Sequence, residues 1–592
     1  MTAKLVRLVL ATAIVAGCRA QAPDKTTADS TPDSVKMGPA ATSAATSGWF
    51  EVLGEEAGLT FTHVNGASGH YYFPEMLSPG VALFDYDNDG DLDAYLVQGG
   101  PLGTQEILPG TASTTPSSAT TLTGRLFRND LIVGANDVRT ARFVDVTATS
   151  GIAARGYGMG IATGDYDNNG CVDIFLTFLD RSQLYRNNCG GTFTDVSRAS
   201  GTSGDGWSVS AAFLDYDRDG WLDLYVGRYV DYTIANDVAC TGLTGRRDYC
   251  TPAVYTSQPD RLYRNARNGT FMDVTATSLL GGTFGPALGV STADFNNDGW
   301  VDIYVANDGK PNLLWLNQRD GTLRESGLLN GAALTAEGKA EASMGVDAGD
   351  FDNDGDDDLF VTELPAQGSN LFVNDGNGVF DDRSARTGVT ALTLGYTGFG
   401  GGWLDVDNDG WLDLIQVNGS IQEIDGQDRF FRYAERKLLL RNTGEGRFVN
   451  VTREAGAAFG ALEVSRGMAL GDVDNDGDSD VMINNLNGQP RLFVNQLGNR
   501  HHWVCLRLTD DHATRDLLGA RVEVVRKDGR SVFRRSRGDG SYASANDPRV
   551  LIGLGPSSEP PGVRVTWPDG RSERWNTVAV DQCTTLRQGS GR

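Results

Sequence analysis

The sequence predicts an all-β molecule: a seven-bladed β-propeller followed by a small β-sandwich-like C-terminal domain. Three observations carry this reading. A nine-residue acidic segment, Asp85-Tyr86-Asp87-Asn88-Asp89-Gly90-Asp91-Leu92-Asp93, recurs six more times with the same spacing, starting at Asp165, Asp215, Asp294, Asp350, Asp405 and Asp472. Each copy sits between two short apolar runs, such as Val81-Ala82-Leu83-Phe84 before and Leu224-Tyr225-Val226 after, which reads as strand, loop, strand. Glycine is abundant, 75 of 592 residues, without the one-in-three spacing of a triple helix, so many tight turns are needed.

Two further signatures complete each repeat. One is Phe-x-x-Val or a variant, led by Phe50, Phe143, Phe193, Phe271, Leu323, Phe380 and Phe448; the other ends at Asn129, Asn187, Asn265, Asn317, Asn374, Asn442 and Asn495. Glycine- and asparagine-rich turns such as Asn187-Asn188-Cys189-Gly190-Gly191 join the two as hairpins. Four short strands per repeat indicate a propeller blade. The Phe50 strand lacks an upstream partner and the Asn495 strand lacks a downstream one, so the two ends should pair. That closes the ring over 49–496 and leaves no open edge, whereas the competing open solenoid would leave two.

The ends of the chain differ from its middle. Lys4 and Arg7 precede a short apolar run, Leu8 to Ala16, ending at Gly17-Cys18, the pattern of a secretory signal over 1–18. The run is shorter than the roughly 20 residues that cross a bilayer. Residues 19–48 are rich in Ala, Ser, Thr, Pro and Asp and read as a flexible tether. Residues 497–592 carry 16 Lys/Arg against 11 Asp/Glu, opposite in sign to the whole chain at -26. Alternation at Val522-Glu523-Val524-Val525 and Val563-Arg564-Val565-Thr566-Trp567 predicts antiparallel strands there. The basic stretch Arg526, Lys527, Arg530, Arg534, Arg535 and Arg537 reads first as a solvated strand face, with contact to anionic envelope glycans or lipids and docking onto the acidic propeller as the alternatives.

Oxygen atoms at positions 1, 3, 5 and 9 of a glycine-bent loop converge on one point, and a hard cation such as Ca2+ takes about six to eight oxygens. The predicted ligand sets are Asp85, Asp87, Asp89 and Asp93; Asp165, Asp167, Asn169 and Asp173; Asp215, Asp217, Asp219 and Asp223; and Asp294, Asn296, Asp298 and Asp302. The last three are Asp350, Asp352, Asp354 and Asp358; Asp405, Asp407, Asp409 and Asp413; and Asp472, Asp474, Asp476 and Asp480. Up to seven Ca2+ ions are expected, with the Asn169 and Asn296 loops binding most weakly because each lacks a charge.

These motifs resemble the FG-GAP/VCBS repeats of integrin α-subunit propellers. Phe61-Thr62-His63-Val64-Asn65-Gly66 and Pro74-Glu75-Met76, with Leu518-Gly519-Ala520-Arg521-Val522, Ser541-Tyr542, Gly553-Leu554-Gly555 and Trp567-Pro568-Asp569-Gly570, resemble the cartilage-acidic-protein family and its C-terminal ASPIC/UnbV domain. Leu323-Arg324-Glu325 and the Ser/Thr/Pro-rich insertion at 101–122 depart from that pattern. Val15-Ala16-Gly17-Cys18 resembles a bacterial lipobox, which implies lipidation of Cys18 and anchoring at the cell envelope. Arg19 in place of an inner-membrane retention aspartate favours the outer membrane.

Six cysteines remain, and their clustering suggests Cys240–Cys250 first, then Cys171–Cys189 and Cys505–Cys583, among 15 possible pairings, with free buried thiols as the alternative for the last two pairs. The acidic balance argues against nucleic acid as partner, so the membrane is met only through the anchor. His501-His502 reads as structural rather than a metal pair, and Arg537-Gly538-Asp539 as a chance integrin-recognition tripeptide. No nucleophile elbow, His-Glu-x-x-His or phosphate-binding loop is present. The expected function is a non-enzymatic, calcium-binding adhesion or ligand-binding protein for an envelope or extracellular glycan or protein. A calcium-dependent carbohydrate-active enzyme of the polysaccharide-lyase kind is the alternative. His70, Tyr71 and Glu75 are the candidates for a site apart from the acidic loops.

Overall fold

Seven four-stranded antiparallel sheets occupy residues 50–495 of the computed structural model. The structure describes residues 48–592 apart from 104–121, 136–137, 243–244, 279–281, 425–431 and 513–514. The leader, Cys18, nearly all of the tether and most of the 101–122 insertion lie outside the described residues.

In each sheet the acidic loop joins the first strand to the second, and the position-9 aspartate is the first residue of the second strand, as in Asp93–Leu96 and Asp173–Phe178. The Asn-terminated strand is third and the Phe strand fourth, for example Gln183–Asn187 paired with Phe193–Asp195. Leu323–Glu325 takes the fourth place in its sheet as the phenylalanine strands do, because Leu323 is buried in the same pocket of core. The first strands are mutual neighbours in chain order, and Val81–Phe84 contacts both Gly158–Gly164 and Ser465–Gly471, so the series returns on itself. Phe50–Leu53 lies antiparallel to Arg491–Asn495, with Phe50 opposite Asn495, and completes the last sheet from the opposite end of the chain.

Apolar residues of facing sheets interdigitate to form the core. Ile161, Leu176 and Tyr185 of one sheet pack with Phe84 and Tyr95 of the preceding one. First strands are buried on both faces and so read as continuous apolar or small runs rather than alternating ones.

The C-terminal module has two sheets. His502–Thr509 lies between Val550–Gly555 and Cys583–Arg587, and the latter pairing is parallel. Arg521–Val525 lies between Ser531–Arg535 and Gly562–Thr566, with Ser572–Trp575 at the edge. Val504, Leu506, Val522, Val524, Val565 and Trp567 fill the space between the sheets. All three disulfides form: Cys171–Cys189, Cys240–Cys250 and Cys505–Cys583.

Candidate functional site

The acidic loops are built around their own backbone. Asp85 Oδ1 and Oδ2 accept from the amides of Asp89 (3.2 Å) and Gly90 (3.0 Å), bending the loop back on itself. Position 4 is left-handed in every loop, with φ between 51° and 61° from Asn88 to Asn475. Asparagine tolerates this conformation better than other side-chain-bearing residues, which accounts for six asparagines there and one exception, Arg218. Asp93 accepts from the amides of Tyr86 and Asn129, both at 2.9 Å, so positions 1 and 9 are held before any cation arrives.

Position 3 differs. Oδ1 of Asp87, Asp167, Asp217, Asp352 and Asp407 is buried and has no hydrogen-bond partner. In those same five loops, oxygens of positions 1, 3 and 9 lie within 4.8 Å of one another. Burial pushes Asp85 up to about 6 and Asp93 up to about 9. Asp350, Asp405 and Asp472 rise to about 7 for the same reason. A buried charged oxygen without a donor is costly, and an all-oxygen donor set is what a hard divalent cation requires. These clusters are therefore fitted to hold metal ions.

Position 5 is placed otherwise. Asp89 Oδ1 accepts from its own loop at the Asp91 amide (2.9 Å), and Asn169 does the same with Cys171 (2.8 Å). Asp219 and Asp298 also pair with Arg267 (2.6 Å) and Arg319 (2.9 Å). The fourth loop brings Asp294 and Asp302 together, while Asn296 accepts from the Asp298 amide at 3.1 Å.

Each loop is also tied to the next sheet. The side-chain amide of every third-strand asparagine donates to the position-2 carbonyl of the preceding loop: Asn187 to Tyr86, Asn265 to Tyr166, Asn317 to Tyr216, Asn374 to Phe295, Asn442 to Phe351, Asn495 to Val406 and Asn129 to Val473. The seven bonds form a closed circle.

The C-terminal module covers the acidic-loop end of the propeller. Arg515, Arg521, Arg534 and Arg549 each donate to a position-4 asparagine, respectively Asn168, Asn297, Asn353 and Asn475. Arg526 and Arg534 donate to the Asp409 and Gly410 carbonyls at 3.1 Å, and Arg535 to that of Thr292. This corrects the reading of the basic stretch as a solvated strand face. Only Lys527 and Arg530 fit that description, pairing with Glu559 and Asp528 at the surface. Asparagine side-chain oxygens and backbone carbonyls, both invisible to a charge count, supply these acceptors. The Arg537-Gly538-Asp539 tripeptide is interior, with Arg537 on Asp347 (2.7 Å) and Asp539 accepting from the Thr292 amide. His501 Nδ1 donates to the Asp407 carbonyl (2.6 Å) and His502 pairs with Asp581 (2.7 Å), so the two rings serve different partners.

From the module, residues 539–547 enter the axis of the propeller. Backbone bonds join Ala545 to Val81 and Leu83, Ala543 to Ile161, Ser541 to Val346 and Asp547 to Leu470. Ala543 also takes a bond from its amide to Ser210 Oγ, and the Tyr542 ring meets Phe399 at 5.0 Å. With Asp539 on Thr292, the segment touches the first strand of all seven sheets. Gly80 permits this approach, since a Cβ there would stand 1.9 Å from the Ala543 carbonyl oxygen.

At the opposite strand ends lies a cup of about 380 Å3, lined by Tyr71, Glu75, Tyr249, Tyr433, Arg466 and Asn487 among others. Its walls come from the starts of first strands and the segments before them (Arg466, Glu75) and from the ends of second strands and the segments after them (Asn485, Asn487), whereas the acidic loops lie between the two strands. Glu75 Oε2 accepts from the Tyr249 hydroxyl at 3.0 Å. Oε1 is buried without a hydrogen-bond partner. Burial raises the Glu75 carboxyl to about 7, with the Tyr249 hydroxyl and nearby amides of Tyr72 and Ser68 opposing. Of the three sequence candidates, Tyr71 and Glu75 line the cup; His70 is exposed and stacks on Tyr72. Tyr249, Tyr433 and Arg466 carried no motif, since they come from three distant segments.

Family models match both the repeat region and the C-terminal module. An FG-GAP-like repeat matches residues 165–226, 243–305, 294–361 and 350–415, and an ASPIC and UnbV model matches 510–592. The chain carries FG-GAP repeats and an ASPIC/UnbV module. It is similar to cartilage acidic protein 1, at 30% identity over 167 residues in Xenopus tropicalis and 31% over 169 in Mus musculus. Each match takes in 27% of this chain and spans about a quarter (25%) of the relative's length. Similar solved structures include the BP39L lectin from Burkholderia pseudomallei, with TM-score 0.40 and 11% identity over 72% of this chain and 97% of that one. An Agrocybe aegerita lectin for non-reducing terminal N-acetylglucosamine gives 0.35 and 15% over 70% and 87%. A Bacillus licheniformis rhamnogalacturonan lyase gives 0.30 and 14% over 86% and 91%.

Proposed function

We propose that this FG-GAP protein is a calcium-loaded, non-enzymatic ligand-binding or adhesion protein. In this reading it is held at the cell envelope, outer membrane preferred, through acylated Cys18 and the tether. The observation that carries the calcium assignment is the unpartnered position-3 oxygen, buried in five loops beside two carboxylates already oriented by backbone amides. Positions 1, 3 and 9 would hold the ion, with position 5 and a position-7 carbonyl completing the shell. The ion supplies positive charge that the loops lack and so makes the ring rigid. No part of the ligand contact is assigned to it.

Binding is favoured over glycan cleavage by the state of the cup's carboxyls. Glu463, the other carboxylate lining the cup, is held by Lys437 Nζ (2.5 Å) and Arg491 Nε (2.9 Å).

The test is calorimetric titration of the metal-free full chain with Ca2+, alongside thermal melts with calcium and with chelator. Several ions bound per chain and a higher melting temperature in calcium are expected. Absence of both would overturn the assignment.

A further inference from the structure

We infer that the cup framed by Tyr71, Tyr249 and Tyr433, at the end of the propeller away from the acidic loops, is the recognition site and takes one neutral glycosyl unit. The inference rests on the ligand-binding reading above and names its site and ligand class.

Module arginines cover the loop tips at the other end. The axis is closed by residue Tyr542, which is fully buried and donates to the Leu77 carbonyl at 2.7 Å. The cup's 380 Å3 falls within the span of about 300–1,000 Å3 usual for small-ligand sites.

Its lining selects the chemistry. Tyr71 meets Tyr249 edge-on at 5.3 Å, and Tyr249 meets Tyr433 at 6.0 Å, giving a row of three rings. Two hydroxyls are engaged, Tyr249 on Glu75 and Tyr433 on Asp248 (3.3 Å), which fixes the rings and leaves their aromatic surface as the contribution to a ligand. A sugar ring offers a matching C–H face with hydroxyls around its rim.

The charged groups of the wall already have partners, including Arg432, which faces Glu423 at 3.9 Å. Arg466 donates to the carbonyls of Met76 (2.6 Å), Gly419 (2.8 Å) and Ser465 (2.9 Å), and Glu463 is held by Lys437 and Arg491. The donors of Arg466 and the acceptors of Glu463 are thus spent on the protein itself, and a charged ligand would have to displace them. Glu75 Oε1 remains as an acceptor without a donor, and a ligand hydroxyl is the neutral group that supplies one.

The test uses the calcium-loaded full chain with methyl glycosides of glucose, galactose, mannose and N-acetylglucosamine, and tetramethylammonium as a cationic probe. Saturation-transfer NMR and calorimetry read binding. At least one glycoside should saturate, and Tyr433→Ala should weaken it about tenfold. Glu75→Gln, nearly isosteric, should weaken it several-fold and keeps the test valid if Tyr433→Ala fails to fold. Three results would overturn the inference: no glycoside saturates, saturation is indifferent to both substitutions, or tetramethylammonium alone binds. Calcium titration of the same sample separates the two readings. Calcium bound without any glycoside sinks the cup alone; glycoside bound without calcium sinks the calcium assignment alone.

Discussion

The side-chain amide of Asn187 donates at 2.7 Å to the carbonyl of Tyr86, 101 residues earlier, while its backbone amide donates at 2.7 Å to Asp173 in its own sheet. One residue thereby ties the acidic loop of its own sheet to the loop before it. The pattern repeats around the ring, so the loops form a single mechanical circuit.

Asn187→Ala breaks one link and leaves the buried Tyr86 carbonyl without that donor. An unmet buried hydrogen bond costs about 1–3 kcal/mol. The urea midpoint should fall correspondingly. An unchanged midpoint would show that the link is dispensable.

Asp87→Asn tests the metal assignment through a reversal of sign. With chelator present, a buried unpartnered charge has been removed, so the melting temperature should stay level or rise. In calcium the same change should lower it and remove about one bound ion. A fall of equal size in both conditions would show that Asp87 serves only the fold.

Glu75 gives a pH signature. Its ordinary value is 4.5 and burial raises it to about 7, so between those values the folded protein keeps a proton that the unfolded chain has released. Stability therefore falls as pH rises through that window, and the loss is complete above about 7. Glu75→Gln removes this contribution. Variant minus wild-type stability should grow more favourable from pH 4.5 to 7 and level off above, in melts across that range. A difference flat with pH would show that the carboxyl ionises normally.

Arg537 and Asp347 bind the ASPIC/UnbV segment inside the propeller, with the carboxylate also accepting from the Trp403 amide at 2.9 Å. Arg537→Ala leaves a buried carboxylate uncompensated, a loss of about 3–5 kcal/mol. Adding Asp347→Asn removes the charge and should recover most of it. A double variant no more stable than the single one would contradict this account.

The seven loops, the strand on either side of each and the pairing of Phe50 with Asn495 were legible in the chain because a strand–loop–strand unit is local. Its glycine, its left-handed asparagine and its oriented carboxylates are set within nine residues. Of the cysteine pairings, Cys240–Cys250 was legible from proximity along the sequence, whereas Cys171–Cys189 and Cys505–Cys583, the latter 78 residues apart, stay open against free thiols until the fold decides them. The fate of Arg534 and Arg537 was legible only as the alternative of docking onto the propeller, since a charge count does not show that one guanidinium meets the Gly410 carbonyl or that the other meets an aspartate buried in the interior, Asp347. Nor could spacing reveal that Tyr542 closes the axis against Leu77, 465 residues away. The cup falls under the same limit: Tyr71, Tyr249 and Tyr433 share no motif, and only closure of the ring brings their side chains to one end of it. Short-range conformational preference is written residue by residue. Which distant surfaces meet depends on burial, and burial exists only once the ring has closed.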